Sequence, residues 1–302
     1  MSPDSRGTSM NGAREMVDGL RALGSPPEVH GKIVRELGRP DSGSRDIARV
    51  IAEDPGLVAR LLGLVNSALY GLPRRVESLE RAVTMVGTRQ LRELVLATSI
   101  ISSFDGIVDD QLDMRSFWKH SLACGVGARR LALIQGADHP ETHFLAGLVH
   151  DLGRLVLLLE GGERMAEAME MAREGDLLLH EAERLLFGFD HTQVGQCLME
   201  RWKLGADLEE AVAFHHAPFL ATRHPEIAAS VHLADLFANA LRWGSSGAFS
   251  VAPLTPCAWT RLGIPDGEVD GLLDSIQEEW GEVVEVVLMD RPLEEPARPA
   301  GG

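Results

Sequence analysis

Apolar residues recur at helical spacing along almost the whole chain. In one stretch Leu57, Val58, Leu61, Leu62 and Val65 are separated by one to four residues, which places them on one face of an α-helix. No stretch shows a convincing series of alternating apolar and polar residues, the pattern of a half-buried β-strand. The predicted fold class is therefore all-α, built from amphipathic helices that bury their apolar faces against one another.

Helix boundaries are marked by local signals. Asp54 followed by Pro55 is typical of a helix start, because the aspartate can cap the first turn and the proline needs no hydrogen-bond partner there. Gly87 followed by Thr88 indicates the end of one helix and the start of the next. The segment 104–113 contains one glycine and four aspartates, so we predict that it is a linker.

These signals divide the chain into three parts. We expect a flexible N-terminal segment, then a domain in which an N-terminal helical subdomain packs on a helical bundle, and finally a loop, a helix and a disordered tail. The flexible segment is expected at 1–24 and the domain at 25–243. Within the domain, the N-terminal subdomain covers 25–103 and the bundle 114–243. The C-terminal part covers 244–302, with its helix near 269–287.

Charge and composition exclude several classes of protein. The chain has 45% hydrophobic and 25% charged residues, which is ordinary for a globular, water-soluble protein. Its net charge of −16 repels nucleic acid and anionic membranes. The first 24 residues lack the apolar block of a signal peptide, and no later segment offers ~18 uncharged apolar residues. We therefore predict a cytoplasmic protein without a membrane partner.

The three cysteines give no sign of a disulfide framework or a zinc ribbon. Cys124, Cys197 and Cys257 are far apart, odd in number and outside any Cys-x-x-Cys pair. Their expected role is that of small buried hydrophobic residues in a reducing compartment.

Seven histidines and aspartates are spread over about a third of the chain: His120, His150, Asp151, His191, His215, His216 and Asp235. Six of these seven residues lie in or beside apolar helical stretches. A buried imidazole or carboxylate needs a partner to offset its desolvation. Five separate helices would each contribute ligand atoms, which is how a helical bundle holds a metal in its core. Because mixed imidazole and carboxylate ligands suit Mn, Fe, Zn or Ni, we predict one or two divalent transition metal ions.

The metal hypothesis depends on the set and not on any single residue. A lone histidine on an apolar face is more often a satisfied core or capping residue than a ligand. The other six histidines lack comparable placement and are interpreted as surface or capping residues: His30, His139, His143, His180, His224 and His232.

The order His, His-Asp, His, His-His, Asp on a helical scaffold resembles the HD superfamily of metal-dependent phosphohydrolases. Within that superfamily the chain is most similar to the HDOD family, the HD-related output domain of bacterial signalling proteins. The resemblance covers roughly Ser25 to Asn239. Its most specific pieces are the sequences at 54–57 (DPGL), 66–71 (NSALYG), 117–121 (FWKHS), 144–153 (FLAGLVHDLG) and 188–191 (GFDH).

The resemblance implies a division of the site residues between two metals. Four residues would match the ligands of one metal (His120, His150, Asp151 and Asp235), and three would match those of a second (His191, His215 and His216), with Asp151 bridging the two. HDOD proteins are regarded as regulatory modules without an established shared activity. The related HD-GYP proteins hydrolyse cyclic dinucleotides at such a centre.

Two departures bear on catalysis. The cyclic-dinucleotide hydrolases have a lysine after their His-Asp-x-Gly turn, whereas this chain has Arg154, whose guanidinium differs in reach and geometry. The residues after His216 are Ala217-Pro218-Phe219, without the Gly-Tyr-Pro segment of those enzymes. The candidate catalytic residues are therefore limited to Asp151 and Arg154.

Two functions remain open, and a third is disfavoured. The first is a bacterial regulatory protein that acts through contacts with signalling proteins and holds a metal in an HD-like site. The alternative is a metal-dependent phosphohydrolase, either a phosphodiesterase or a nucleotide phosphatase. A nucleic-acid-binding role conflicts with the net charge of −16. Only Lys119 and Arg154 lie within four residues of the predicted ligands, and this scarcity of substrate-binding cations favours regulation.

Overall fold

The computed structural model describes residues 3–20, 28–37, 43–104, 112–175 and 177–288. Over these residues the chain forms α-helices joined by short connections and contains no β-strand, as the sequence predicts. Most of the expected linker (105–111) and the tail (289–302) lie outside the described residues.

The helices follow one another closely along the chain: α1 (Pro3–Gly19), α2 (Glu28–Leu37), α3 (Ser44–Ile51), α4 (Pro55–Asn66), α5 (Leu79–Val86), α6 (Thr88–Ser103), α7 (Met114–Ile134), α8 (Pro140–Val149), α9 (Leu152–Gly161), α10 (Glu163–Glu174), α11 (Leu179–Phe187), α12 (His191–Trp202), α13 (Ala206–Phe214), α14 (Pro225–Ala240), α15 (Pro256–Leu262) and α16 (Val269–Leu288). Short 3₁₀ turns occupy Pro218–Leu220 and Asp266–Glu268.

Helices α2 to α6 form the N-terminal subdomain and pack on one another. The Asp54 side chain accepts a hydrogen bond from the Leu57 N–H at 3.0 Å and so caps α4, as its position before Pro55 predicts. Gly87 ends α5 and starts α6 with a φ of 97°, a backbone conformation that favours glycine. Helix α6 also packs on α8, and this contact joins the subdomain to the bundle.

Helix α7 lies at the centre of the bundle, between α8 and α14. Gly147 on α8 faces the backbone of Cys124 and Gly125 on α7, where no larger side chain fits. Gly153 at the start of α9 makes a similar backbone contact with His191 and Gly195 on α12. Glycines thus allow the helices that carry the site to approach at backbone distance.

The N-terminal segment is more ordered than expected. Instead of a flexible segment, residues 3–19 form α1, which packs on α12. Arg201 on α12 donates a hydrogen bond to the Val17 carbonyl at 2.6 Å, and Gln193 donates to the Ser9 hydroxyl at 2.7 Å. Helix α16 stands where the last helix is predicted and packs on both α4 and α7. It therefore connects the N-terminal subdomain to the bundle.

One segment, Pro140–Gly161, is long and apolar enough to cross a membrane by length and composition alone. It comprises α8, the His150-Asp151 turn and α9, and it carries charged side chains that include Asp151 and Arg154. Because 89% of its most apolar window is buried inside the protein, it has the character of a core element.

The predictions for three individual residues are wrong. His143 and His232, expected at the surface or as caps, are buried, because α8 and α14 are surrounded by other helices. His143 shares a hydrogen bond of 2.8 Å with the Ser230 hydroxyl across that contact. Cys257, expected to be buried, is exposed, whereas Cys124 and Cys197 are buried.

His143 makes the stability of the fold depend on pH. Burial lowers the pKa of His143 from 6.5 to about 4, against a weaker opposing effect of Glu226. The unfolded chain therefore binds the proton more readily, and stability is lost as the pH falls from about 6.5 to about 4. In urea unfolding, the difference in unfolding free energy between the wild type and His143→Gln should change by about 3 kcal/mol, against the wild type, as the pH falls through this window. Parallel pH profiles would contradict this assignment.

The contact between α9 and α12 can be tested at Gly153. A Cβ there would overlap the backbone carbonyl of His191 and lie 2.7 Å from the Gly195 nitrogen, so Gly153→Ala should destabilise the protein by at least about 3 kcal/mol. Gly281 on α16 is the matched control, because no atom lies within 4 Å of a Cβ added there. Gly281→Ala should be neutral or slightly stabilising in the same urea titration.

Candidate metal centre

The structure brings all seven predicted residues into one cluster. His120 comes from α7, the His150-Asp151 pair from the turn between α8 and α9, His191 from the start of α12, the His215-His216 pair from the end of α13, and Asp235 from α14. His120, His150, Asp151, His191 and His215 are at most 1% exposed, and Asp235 is 6% exposed. These six residues lie deep inside the bundle, whereas His216 is half-buried.

One group of ligand atoms surrounds His150. The His150 Nε2 lies 3.2 Å from Asp151 Oδ2 and 3.7 Å from Asp235 Oδ1. The His120 Nε2 lies 3.2 Å from the same Asp235 oxygen. These atoms come from two helices, α7 and α14, and from the turn between α8 and α9, so each position depends on the tertiary fold.

A second group consists of imidazole nitrogens. The His191 Nε2 lies 3.3 Å from the His215 Nε2 and 3.2 Å from the His216 Nε2. Asp151 Oδ1 lies 3.2 Å from the His191 Nε2 and 3.8 Å from the His215 Nε2. Asp151 thus presents one oxygen to each group, which is the bridging position that the resemblance implies.

The outer nitrogens of three histidines are held by acceptors. The Nδ1–H of His150 donates to the Gly147 carbonyl at 2.7 Å, and that of His215 donates to the Val212 carbonyl at 2.9 Å. The Nδ1–H of His191 donates to Glu183 at 2.6 Å. With the proton held on Nδ1, each ring would present the lone pair of its Nε2 to a bound metal, the usual arrangement of metal-binding histidines.

Two buried atoms at the centre lack a hydrogen bond in the described structure, namely His150 Nε2 and Asp151 Oδ1. An unpaired buried acceptor costs free energy unless something else compensates it. A divalent ion between the nitrogens and carboxylate oxygens would satisfy both atoms. The donor set therefore fits a metal centre.

The electric field at the first group favours positive charge. Burial alone would lower the pKa of His150, but Asp151 and Asp235 outweigh it and raise that pKa to about 10. Burial opposes ionisation of both carboxyl groups, yet Arg154 and His150 hold the pKa of Asp151 well below its usual value, and His120 and His150 do the same for Asp235. The same field attracts a metal cation.

Two histidines of the second group, His215 and His216, are held in the neutral form. Burial lowers the pKa of His215 and His216 well below the usual value, and the neighbouring histidines lower it further. The neutral form is the one that binds metal through nitrogen.

Arg154 has a different environment from that of a substrate-binding residue. Its guanidinium donates to Asp151 Oδ2 at 2.6 Å and to the Ser246 hydroxyl, and its Nε lies 3.6 Å from Glu183 Oε1. The residue is 3% exposed. Arg154 therefore supports the bridging aspartate from inside the protein.

Three neighbours of the site were missed by the sequence analysis as site residues. Glu183 holds His191, the Cys124 sulfur lies 3.5 Å from the His120 Nε2, and the His180 ring stacks on His216 with centroids 4.2 Å apart. His180, interpreted from the sequence as a surface or capping residue, is half-buried beside the site. For Glu183 a signal exists in the sequence, since it falls in helical register with Leu179 and Ala182 on the buried face of α11.

A family model of the HDOD domain matches residues 23–218. A protein of Treponema pallidum without a characterised function is 27% identical over 205 residues. That alignment covers 68% of this chain but only 39% of the length of the relative.

Two solved structures are similar over nearly the whole chain. An HDOD domain protein of unknown function from Geobacter sulfurreducens aligns with a TM-score of 0.78 at 28% identity, covering 93% of this chain and 98% of that one. A candidate phosphohydrolase from Shewanella amazonensis aligns with a TM-score of 0.69 at 23% identity, covering 92% of this chain and 97% of that one. At that identity the second likeness shows a shared fold.

Glu183 provides a test of the proposed ligand geometry. Its Oε2 accepts hydrogen bonds from both the backbone N–H and the Nδ1–H of His191, at 2.8 and 2.6 Å. Glu183→Gln removes the charge behind this ligand and should weaken divalent metal affinity about 10–100-fold, as measured by competition with a chromophoric chelator. Glu181→Gln, at an exposed position of the same helix, is the control and should leave the affinity unchanged. Equal affinities for both variants would refute the role of Glu183.

Proposed function

This chain belongs to the HDOD family, and from that premise we propose that it is a bacterial regulatory protein that acts through contacts with signalling proteins. The metal centre in its core would serve as a structural or sensory element.

The observation that carries this proposal is the enclosure of the centre. Catalytic metal sites keep a coordination position open to substrate, whereas structural sites are closed by protein ligands. Here the five innermost site residues are at most 1% exposed. Arg154, the cation nearest to the bridging aspartate, is engaged by Asp151 and Ser246. A phosphoester would therefore meet neither exposed inner ligands nor a free guanidinium.

The chain's own residues would hold one or two divalent transition metal ions, with Fe, Mn, Zn and Ni as the candidates. His120, His150, Asp151 and Asp235 would hold the first, and His191, His215 and His216 the second, with Asp151 between them. Bound there, a cation would supply positive charge that links the ligand helices and stabilises their arrangement. The site residues would thus couple α7, α12, α13 and α14 to the turn between α8 and α9.

Exposed apolar side chains support a link between the centre and a partner protein. Leu185 lies two residues after Glu183 on α11, Phe219 three residues after His216, and Phe249 three residues after Ser246. These side chains are 65%, 65% and 53% exposed. Large exposed apolar residues are typical of protein contact surfaces. A change at the centre would reach them through short covalent connections.

A metal-dependent phosphohydrolase is the second candidate, and one observation favours it. The two carboxylate oxygens of Asp151 face two separate groups of donors, as in two-metal hydrolytic sites. Activity would require a movement that opens the centre and frees a cation for the substrate phosphate.

Metal analysis combined with a hydrolysis assay separates the two functions. Protein purified without chelator should contain divalent metal, Asp151→Asn should contain less, and bis(p-nitrophenyl) phosphate and cyclic dinucleotides should show negligible turnover with each metal. Asp274→Asn, an exposed position on α16, is the control and should keep the wild-type metal content. Robust metal-dependent hydrolysis that is lost in folded Asp151→Asn protein would place the phosphohydrolase first.

A further inference from the structure

Cys124 lies beside the first group of donors. It follows His120 by four residues on α7, so the two side chains are neighbours on one face of the helix. The residue is completely buried, and its sulfur is 3.5 Å from the His120 Nε2. The donor atoms of His120, Cys124, His150 and Asp235 all lie within 4.8 Å of one another.

Three of the six separations among these four donor atoms are close to those of a four-coordinate site. Ligands arranged tetrahedrally around an ion at about 2.0–2.3 Å are about 3.3–3.8 Å apart. The observed separations are 3.2 Å from His120 Nε2 to Asp235 Oδ1, 3.5 Å from His120 Nε2 to Cys124 Sγ, and 3.7 Å from His150 Nε2 to Asp235 Oδ1. The sulfur therefore occupies a position that a ligand would occupy.

An independent observation points to an ion at this place. The His150 Nε2 is buried and lacks a hydrogen bond, and its Nδ1 is already committed to the Gly147 carbonyl. An ion held among these four donors would compensate this nitrogen.

We propose that Cys124 supplies a thiolate ligand to a metal ion held by His120, His150 and Asp235. This inference rests on the metal centre of the proposed function. On binding, the sulfur–hydrogen bond is replaced by a sulfur–metal bond and the proton leaves to solvent, with no change in oxidation state. Because thiolate is a soft ligand, the site selects Zn²⁺ over Mn²⁺ or Mg²⁺.

The thiolate also explains how Arg154 and a metal coexist. In this ligand set the Cys124 sulfur takes the place that the resemblance gives to Asp151, and two nitrogens, one carboxylate oxygen and one sulfur complete a four-coordinate first site. The Asp151 Oδ2 remains free to accept the hydrogen bond from Arg154 at 2.6 Å, while Oδ1 faces the second group. The first position is then a closed site of the structural type.

Cobalt provides a spectroscopic test. Co²⁺ commonly replaces Zn²⁺ in such sites, and a thiolate ligand gives an intense near-ultraviolet sulfur-to-cobalt charge-transfer band. Metal-free full-length protein titrated with Co²⁺ should show this band. Cys124→Ser should lose the band and bind Zn²⁺ at least about 100-fold more weakly, which exceeds the loss from removing a hydrogen-bond partner of a ligand. Cys197→Ser, which removes the other buried cysteine, should retain the band and the affinity.

The outcomes separate the two levels of the hypothesis. If Co²⁺ binds to the wild type without the band, Cys124 is not a ligand and only this inference fails. If neither Co²⁺ nor Zn²⁺ binds, the metal centre fails and the inference fails with it. Zinc X-ray absorption on the wild type needs no variant: a sulfur shell near about 2.3 Å supports the proposal, and only nitrogen and oxygen at about 2.0 Å overturn it.

Discussion

The burial of the Asp151 carboxylate is the constraint on which the rest of the structure depends. Asp151 is 1% exposed, so its charge must be compensated by protein groups or by a bound cation. Asp235 and Glu183 are buried around it, and Arg154 is the buried guanidinium among them. The three carboxylates carry two more negative charges than the one guanidinium balances. A bound divalent ion would neutralise these two charges, and protons on the neighbouring imidazoles would neutralise them when no metal is bound. The bundle is arranged to hold positive charge at this point.

Several features of the fold follow from this requirement. Gly153 lets α9 touch the backbone of α12, and this contact brings His191 within reach of Asp151. The Nδ1 hydrogen bonds of the inner histidines fix the ring orientations, so the nitrogens converge before any ligand arrives. The segment after α14 closes over Arg154 through Ser246. Each of these contacts is part of one polar core and not a separate stabilising element.

The sequence predicted what local pattern controls. Strong periodicity and caps such as Asp54 located helices, and apolar neighbours indicated that His120 and Asp235 point inward. Contacts that join distant segments left no such trace: Arg154 meets Ser246 92 residues later, and nothing in either neighbourhood indicates the pairing. Helix α1 packs on α12 and buries Ala13 and Val17 in the core. It was missed because this short apolar face lies among scattered charged residues such as Arg14 and Glu15. Cys124 was identified as buried, yet its approach to His120 depends on a rotamer that spacing alone cannot specify.

The most direct test of this account is the dependence of thermal unfolding on divalent metal. A ligand that binds only the folded state adds about 2.7 kcal/mol of stability at 100 times its Kd. If a cation compensates the buried carboxylates, dialysis against chelator should lower Tm by several degrees. Stoichiometric Zn²⁺ should then restore it, whereas equal Mg²⁺ should not. A Tm that is identical in chelator and in Zn²⁺ would contradict the account, because the buried charges would then be balanced by the protein alone.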